Sequence, residues 1–273
     1  MFDEYRPADF AAVAEFAERQ PEFSYLQAII RAHDERRVRG TCRVWREANR
    51  IVAFCAMAYP TRRDAWLYGM RVDRRFRGQG IATRLARALI GLARQAGMTW
   101  VALDTKDVPS KAAVFRICER LGMSHVTTHA TTMFWNIGPG FARPLLEPAP
   151  GPWPRSRDAR VMMRQQFPLW IWQRPRSEAR LFYIAGVRVS VEYDVHRGRR
   201  WAAVGAFERP PDTRAFVAGL LGLAAGRRRG VVLICPAAWQ SALRRWARAL
   251  VPGLARGVNS NFDAWRIYGR RLR

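Results

Sequence analysis

The sequence contains few lysines, few cysteines and no long uncharged apolar run. Only two of its 47 basic residues are lysines, and its four cysteines are scattered without a CxxC pair. This spacing excludes a disulfide framework and favours reduced thiols in the cytoplasm. The longest late apolar run, FVAGLLGLAAG, is too short to span a bilayer, and the acidic start MFDEYRPADF does not resemble a signal peptide. We therefore expect a cytoplasmic protein that has no membrane partner.

Acidic residues are scarce as well, above all in the second part of the chain. The formal net charge is +25, of which +8 lies in residues 1–150 and +17 in the remainder. A positive field of this size attracts anionic ligands, nucleic acid or acidic surfaces. The same charge is also typical of arginines spread over a solvated surface, in a composition set by a GC-rich genome. An anionic macromolecule bound to the basic C-terminal part is therefore one of two open interpretations.

The pattern of apolar residues predicts two α/β domains joined by a proline-rich linker. We place a first domain at residues 1–138, a linker with six prolines at 139–160 and a second domain at 161–273. The strand–helix–strand–helix–strand order of the first domain recurs in the second, where LLGLAAG echoes LIGLARQ. This recurrence predicts a degenerate second copy of the first domain. Chance agreement between two α/β segments is the alternative.

One loop carries the clearest functional signal in the sequence. In VDRRFRGQGIATRLARALI, Gly78 and Gly80 lie between an apolar strand and an amphipathic helix that begins at Ile81. Glycines before a helix let a ligand approach the unpaired N–H groups and the positive end of the helix dipole. Arg75 and Arg77 add positive charge beside the same point. The sequence therefore predicts a loop that binds a phosphate group.

Three kinds of phosphate loop fit this description to different degrees. A Walker loop needs Gly-Lys-Ser/Thr, which the sequence lacks, and a dinucleotide fingerprint needs a third glycine where Thr83 stands. The segment RFRGQG resembles the Q/R-x-x-G-x-G/A signature of the GNAT superfamily, the GCN5-related N-acetyltransferases. The resemblance extends over roughly residues 2–137, where YRPADFAAVAEF, NRIVAFCAMAY and ICERLGM resemble the family's first strand and helix, its hairpin and its closing LYEKLGF.

The resemblance implies a fold and a co-substrate. The fold is α/β (α+β), with a mixed, splayed central sheet flanked by helices, and with a second, smaller GNAT-like α/β domain. The enzyme implied is an acyl-CoA-dependent N-acyltransferase that uses acetyl-CoA. The residues that the resemblance assigns to coenzyme A are Met70, Val72, Arg75, Arg77, Gly78, Gln79, Gly80, Ile81, Ala82, Ser110 and Lys111.

Direct attack of an amine on the thioester needs a base, an oxyanion site and an acid for the leaving thiolate. The family's tyrosine in LYxxxGF is replaced here by Cys118, which is either the acid, with a solution pKa of about 8.5, or a small buried helix residue. Asp64 and Tyr68, on the strand before the loop, are candidates for base and proton relay, or else structural residues. Asp104 either borders the cleft or caps a turn.

The second domain lacks the features of a coenzyme A site. Its counterpart of the loop reads FERPPDT, and the two prolines have no N–H to offer a phosphate, so we expect one acetyl-CoA per chain. His125 and His129 lie four apart without a third ligand nearby, so we expect no metal. The helix AWQSALRRWARAL together with GRRRG forms either an anion-binding face or a solvated one.

The expected function is transfer of an acetyl group to the primary amine of a small molecule, such as an amino acid, a polyamine or an antibiotic-like amine. The arrangement of a complete GNAT domain followed by a reduced one is similar to that of the vertebrate histidine N-acetyltransferases, which favours a small acceptor. Two alternatives stay open: acetylation of a macromolecular amine (a protein or an aminoacyl-tRNA), and a non-catalytic module that binds acyl-CoA or nucleic acid. Both a monomer and a homodimer agree with the sequence.

Overall fold

The chain divides into two compact units, Met1–His125 together with Tyr268–Arg273, and Val126–Ile267. The structure, a computed structural model, describes residues 1–19, 25–150, 162–166, 169–173, 181–196, 199–226, 228–252, 254 and 260–272. The elements up to His125 are β1 (Phe2–Glu4), α1 (Phe10–Glu18), α2 (Leu26–Asp34), β2 (Gly40–Glu47), β3 (Arg50–Ala58), β4 (Asp64–Val72), α3 (Ile81–Gln95), β5 (Trp100–Lys106) and α4 (Ala112–Arg120). Those that follow are β6 (Ser124–Trp135), β7 (Glu147–Ala149), β8 (Met162–Gln166), β9 (Leu169–Gln173), β10 (Leu181–Ile184), β11 (Val187–His196), β12 (Arg199–Ala206), α5 (Thr213–Ala224), β13 (Arg229–Pro236), α6 (Gln240–Leu250) and β14 (Ser260–Arg271).

The first unit has a mixed sheet in the order β1-β2-β3-β4-β5. Neighbouring strands are antiparallel except for β4 and β5, which run parallel on either side of helix α3 in the sequence. The hairpin that the sequence predicts at REANR is confirmed: Glu47 pairs with Arg50, and Ala48 and Asn49 adopt positive φ angles of 44° and 62°. Two successive residues in this conformation form the tight turn that matches strand twist.

Helices cover both faces of this sheet. Since side chains alternate along a strand, Ala65 and Leu67 of β4 point to one face, where they pack with Leu85 and Leu89 of α3. Helix α3 buries one side, as the predicted amphipathic pattern requires. Helix α2 packs on the opposite face, where the side chain of Ile29 lies close to β4.

The pairing between β4 and β5 stops before either strand ends. The last pair in register is Leu67 with Leu103, whereas β4 continues to Val72 and β5 to Lys106. The two strands therefore diverge, and a fork opens toward their carboxyl ends. This confirms the predicted splayed sheet.

The last strand of the chain completes the first unit. Tyr268 and Leu272, near the end of β14, are buried in the same apolar core as helices α3 and α4. The backbone N–H of Leu272 donates to the carbonyl of Thr99 at 2.9 Å. A Cβ at Gly269 would come within 2.7 Å of the Trp100 indole ring, so only glycine allows this close approach.

The second unit has a sheet in the order β6-β13-β12-β11-β10-β7, in which β12 and β13 are parallel. Helices α5 and α6 pack on one face through apolar residues such as Phe216, Leu220 and Leu243. This confirms the predicted strand and helix order of the second part, although LFYIAGVRVSVEYDV forms two strands because the chain turns at Ala185 and Gly186. The proposal that this unit is a degenerate GNAT-like copy stays a prediction.

The predicted domain boundaries rest on proline content, whereas the compact units follow from packing. The units divide at residues 125 and 126, before the proline-rich stretch, and the end of the chain belongs to the first of them. Strand β7, inside the predicted linker, pairs with β10. Residues 151–160 of the linker lie outside the described residues, and the boundaries 1–138, 139–160 and 161–273 stay predictions.

All four cysteines are buried and carry free thiols. Among the helices that the structure describes, none is long and apolar enough to cross a membrane.

Candidate active site

The glycine loop joins the end of β4 to the start of α3. Asp73 is buried, and its carboxylate accepts a hydrogen bond from the backbone N–H of Arg75 at 3.1 Å, which caps the short 3-10 turn Arg74–Phe76. Gly78 and Gly80 follow with φ angles of 81° and 75°, a region that favours glycine. The sequence pattern RxxGxG thus corresponds to a capped turn followed by two left-handed residues.

Helix α3 presents free backbone donors at this loop. Its first hydrogen bond runs from the N–H of Arg84 to the carbonyl of Gly80 at 3.0 Å, so the N–H groups of Ile81, Ala82 and Thr83 precede the hydrogen-bond ladder. These donors lie at the positive end of the helix dipole. The helix start therefore offers the backbone chemistry that a diphosphate needs.

The space beside the loop is open to a ligand. A Cβ at Gly78 would meet no heavy atom within 4 Å, and one at Gly80 would meet only the Nη1 of Arg84 at 3.6 Å. Arg84 also donates to the carbonyl of Gln79 at 3.0 Å while its guanidinium lies over the Trp45 ring, which fixes the loop from the side of the helix. The residues present therefore fit a diphosphate at this loop.

Charged side chains surround the same loop. Arg75 and Arg77 are exposed, and the Nε of Arg77 donates to the carbonyl of Val72 at 3.1 Å. This bond holds the Arg77 side chain against the end of β4. The loop therefore combines backbone donors with cationic side chains, which together favour an anionic ligand.

The part of β4 beyond the fork carries Met70 and Val72. Both are half-buried, and they lie past Leu67, the last residue that pairs with β5. The register with β3 shifts between Phe54 and Ala56, opposite Gly69, whose φ is 66°. This bulge bends the strand locally. On the edge that faces away from β3, the carbonyls of Met70 and Val72 accept hydrogen bonds from the side chains of Arg71 and Arg77, at 2.6 and 3.1 Å.

Two polar side chains lie at the apex of the fork. Tyr68 and Asp104 are the first residues past the last pair of β4 and β5. Asp104 Oδ1 accepts a hydrogen bond from the Trp66 indole Nε1 at 3.2 Å, so its carboxylate is bound across the strands. By strand alternation, Tyr68 and Trp66 share the face that helix α2 covers.

His33 on α2 contacts Tyr68, and sequence reasoning did not single it out. Its Nε2 lies 2.5 Å from the Tyr68 hydroxyl oxygen, and the two rings stack with centroids 6.0 Å apart. Burial lowers the pKa of His33 to about 4, and burial also raises the pKa of Tyr68 well above its ordinary value. Helical periodicity is the sequence signal that could have identified His33, since His33 continues the stripe of the buried residues Leu26, Ile29 and Ile30.

The comparisons with known proteins agree with this geometry. A family model described as the acetyltransferase (GNAT) family matches residues 2–123. Residues 2–123 are a GNAT acetyltransferase domain.

Solved structures support the same fold over a longer stretch than the GNAT domain. A candidate acetyltransferase from Thermoplasma acidophilum is 15% identical, with 100% of each chain covered and a TM-score of 0.58. A candidate acetyltransferase from Pyrococcus horikoshii is 13% identical, with 100% of this chain and 89% of that chain covered and a TM-score of 0.55. Identities this low establish the fold alone. Among curated proteins, none matches the sequence significantly.

Asp64 lies at the far end of β4 in the GNAT domain. It is buried, and it pairs with Trp100, while its backbone N–H donates to the Thr61 hydroxyl at 3.0 Å. The strand from Asp64 to Val72 spans ~26 Å. The structure therefore does not bring Asp64 together with the glycine loop, and its role as a base stays a prediction.

Cys118, on helix α4 of the GNAT domain, is fully buried in the same apolar core as Leu85 and Leu89 of α3. Burial raises the pKa of its thiol to about 12. The ordinary thiol pKa of about 8.5 therefore does not hold at this position, because the apolar core disfavours the thiolate. A thiol with the raised pKa is a weak acid toward a leaving thiolate, so the placement favours a core residue, and the role of Cys118 as an acid stays a prediction.

Ser110 and Lys111 belong to the 3-10 turn Pro109–Lys111 between β5 and α4. Since β4 and β5 are parallel, this turn and the glycine loop both follow carboxyl ends of strands at the same edge of the GNAT sheet. The structure thus brings these two segments to one edge. Contact of Ser110 and Lys111 with coenzyme A stays a prediction.

His125 and His129, which the sequence analysis considers as metal ligands, each pack against an aromatic ring. His125 packs against Tyr268, with ring centroids 5.7 Å apart, and the fully buried His129 packs against Phe207 at 5.3 Å. Within the described ranges, no group of three or more His, Cys, Asp or Glu side chains could hold a metal ion.

Proposed function

We propose that the GNAT domain transfers an acetyl group from acetyl-CoA to the primary amine of a small molecule, by direct attack of the amine on the thioester. The observation that carries the proposal is the fork between β4 and β5, which opens toward the same sheet edge as the glycine loop. A ligand with a diphosphate at one end and an extended arm at the other fits both features at once.

The residues of the loop and of β4 would hold the two ends of acetyl-CoA. Backbone N–H groups from Gly78 to Ala82 would hold the diphosphate, and Arg75 and Arg77 would add positive charge beside it. The strand from Tyr68 to Val72 spans ~13 Å, a length suited to an extended pantetheine arm. The acyl end would then lie at the apex of the fork, between Tyr68 and Asp104.

The apex residues suit an amine acceptor. In the reaction an N–C bond forms and the C–S bond breaks, and the proton lost by the amine nitrogen is balanced by the proton that the leaving thiolate takes up. The carboxylate of Asp104 attracts a cationic amine, and the hydroxyl of Tyr68 lies on the other strand of the fork. This placement favours Tyr68 over Asp64 and Cys118 as the residue that acts at the reacting atoms.

The second unit favours one acetyl-CoA per chain. Its parallel pair β12–β13 stays in register up to Gly205 and Ile234, so β12 has only one residue beyond the last pair. A Cβ at Gly205 would come within 2.6 Å of Ser190 Oγ, which reflects close packing at this point. A closed pair of strands does not admit a pantetheine arm.

Release of the coenzyme A thiol with a panel of amines tests the proposed function. We expect turnover with at least one class of small amine, at a rate that depends on both substrates. Thiol release only with peptides or with an aminoacyl-tRNA would support the macromolecular alternative. Binding of acetyl-CoA without thiol release on any amine would support a non-catalytic module and contradict the proposal.

A cluster of arginines in the second unit supports the macromolecular acceptor as a second candidate. Arg199 and Arg200 begin β12, Arg228 and Arg229 lie at the start of β13, and Arg200 pairs with Arg229 in register. None of the four guanidinium groups forms an ion pair with a carboxylate of the described residues. The Arg200 guanidinium lies 4.7 Å from the ring of Tyr193, an exposed aromatic. Cationic and aromatic groups at one point suit RNA.

Binding of labelled tRNA as a function of salt tests this second candidate. We expect Arg200→Ala/Arg228→Ala to weaken binding and to reduce the slope of log K against log salt by about one for each phosphate that is no longer neutralised. The matched control is Arg245→Ala/Arg248→Ala, which removes two exposed arginines from α6. Equal effects of the two double variants, or no binding by the wild type at low salt, would contradict a site at the strand starts.

A further inference from the structure

The contact between His33 and Tyr68 joins a half-buried imidazole to the apex of the fork. The two residues lie 35 positions apart in the sequence, and His33 Nε2 lies 2.5 Å from the hydroxyl oxygen of Tyr68. Helix α2 supplies His33 from one face of the sheet, and β4 supplies Tyr68 at the first position past the last pair with β5. The imidazole of His33 thus contacts Tyr68, which in turn would contact the acyl group.

The surroundings of the pair keep it uncharged. Burial lowers the pKa of His33 to about 4, so its imidazole is neutral near pH 7. Tyr68 is packed near two buried thiols, Cys42 on β2 and Cys55 on β3, and burial raises the pKa of both. The neighbouring carboxylate of Asp34, also on α2, accepts a hydrogen bond from the Tyr5 hydroxyl at 3.1 Å.

A neutral imidazole carries its proton on one of its two nitrogens, so the contact between His33 Nε2 and the Tyr68 hydroxyl has two forms. In the form with the proton on Nδ1, the O–H of Tyr68 donates to His33 Nε2, and this is the form on which the inference is built. The phenol oxygen then retains lone pairs as acceptors. Such an oxygen can accept a hydrogen bond from the N–H of an incoming amine and turn the nitrogen lone pair toward the thioester.

We propose that His33 is a positioning residue, which fixes the hydroxyl of Tyr68 so that its oxygen accepts a hydrogen bond from the acceptor amine at the apex of the fork. The proposal rests on the proposed function. No proton is transferred to His33 in this role, since the imidazole acts only as a hydrogen-bond acceptor. It follows that His33 contributes to turnover only while the hydroxyl of Tyr68 is present.

A double-mutant cycle tests this dependence. We expect Tyr68→Phe and His33→Leu each to lower kcat by about 10- to 100-fold, because a misplaced reacting group has an effect of this size. The double variant should be no slower than Tyr68→Phe alone, whereas two independent structural effects would add. His33→Gln, whose amide oxygen also accepts a hydrogen bond, should restore part of the rate. The affinity for acetyl-CoA should stay unchanged in the two single variants of His33.

A spectroscopic titration tests the contact without any turnover. In protein with ¹⁵N-labelled histidine, we expect His33 to stay neutral until about pH 4, with its proton on Nδ1. Tyr68→Phe should shift the Nε2 resonance of His33. Titration of His33 near the ordinary pKa of about 6.5, an unshifted Nε2 resonance, or additive losses in the cycle would overturn the inference. A wild type that lacks turnover but has these resonances would contradict the proposed function and leave the hydrogen bond established.

Discussion

Replacing Gly80 with valine is expected to weaken acetyl-CoA binding by at least about 100-fold, which corresponds to about 2.7 kcal/mol. Gly80 has a φ of 75° at the start of α3, and its backbone borders the donors of Ile81 and Ala82. A valine resists this conformation, and its side chain would extend into the space beside the loop. Isothermal titration of the purified variant with acetyl-CoA measures the loss.

Gly97 offers a matched control for this variant. It has a φ of 74°, it lies at the other end of α3, and a Cβ there would meet no heavy atom within 4 Å. Gly97→Val therefore carries a similar backbone strain outside the loop. We expect its affinity for acetyl-CoA to match that of the wild type. Equal losses in both variants would indicate general damage to the fold, and no loss in Gly80→Val would contradict the assignment of the loop.

Replacing Tyr268 with alanine is expected to lower the free energy of unfolding by about 3–5 kcal/mol, the range seen when a large buried ring is removed. The side chain is 6% exposed, and its ring packs against Phe115 and His125 with centroids 6.0 and 5.7 Å away. Its loss would open a cavity in the core of the first unit. Urea denaturation of the full chain measures the change.

Arg271 is the control for Tyr268, since its side chain is exposed on the same strand. We expect Arg271→Ala to change the free energy of unfolding by no more than about 0.5 kcal/mol. The same reasoning bears on the predicted domain boundary: a fragment of residues 1–138 lacks Tyr268 and Leu272, so it should unfold at lower urea than the first unit of the full chain. A fragment as stable as the full chain would contradict the packing role of β14.

Local patterns predicted the features that depend on neighbouring residues. The glycine loop, the start of α3 and the hairpin turn at Ala48 and Asn49 all follow from the backbone preferences of a few adjacent residues. Gly78 and Gly80 could be identified because glycine is the residue that most readily adopts a positive φ directly before a helix start. The splayed sheet came from the resemblance to the GNAT family, and the pairing of β4 with β5 confirms it.

Features that depend on residues far apart in the sequence could not be predicted from local patterns. The contact of His33 with Tyr68 and the return of Tyr268 to the first unit join positions far apart in the sequence. Nothing local distinguishes a helix histidine that packs on β4 from one in a core. The raised pKa of Cys118 could not be predicted from the sequence for a related reason, since it follows from burial in the core.

A crystal structure of the chain in complex with acetyl-CoA tests the central claim most directly. The account predicts one molecule per chain, with diphosphate oxygens at hydrogen-bond distance from backbone nitrogens between Gly78 and Ala82 and the acyl group between Tyr68 and Asp104. A diphosphate bound elsewhere on the chain, or an arm that does not enter the fork between β4 and β5, would contradict it.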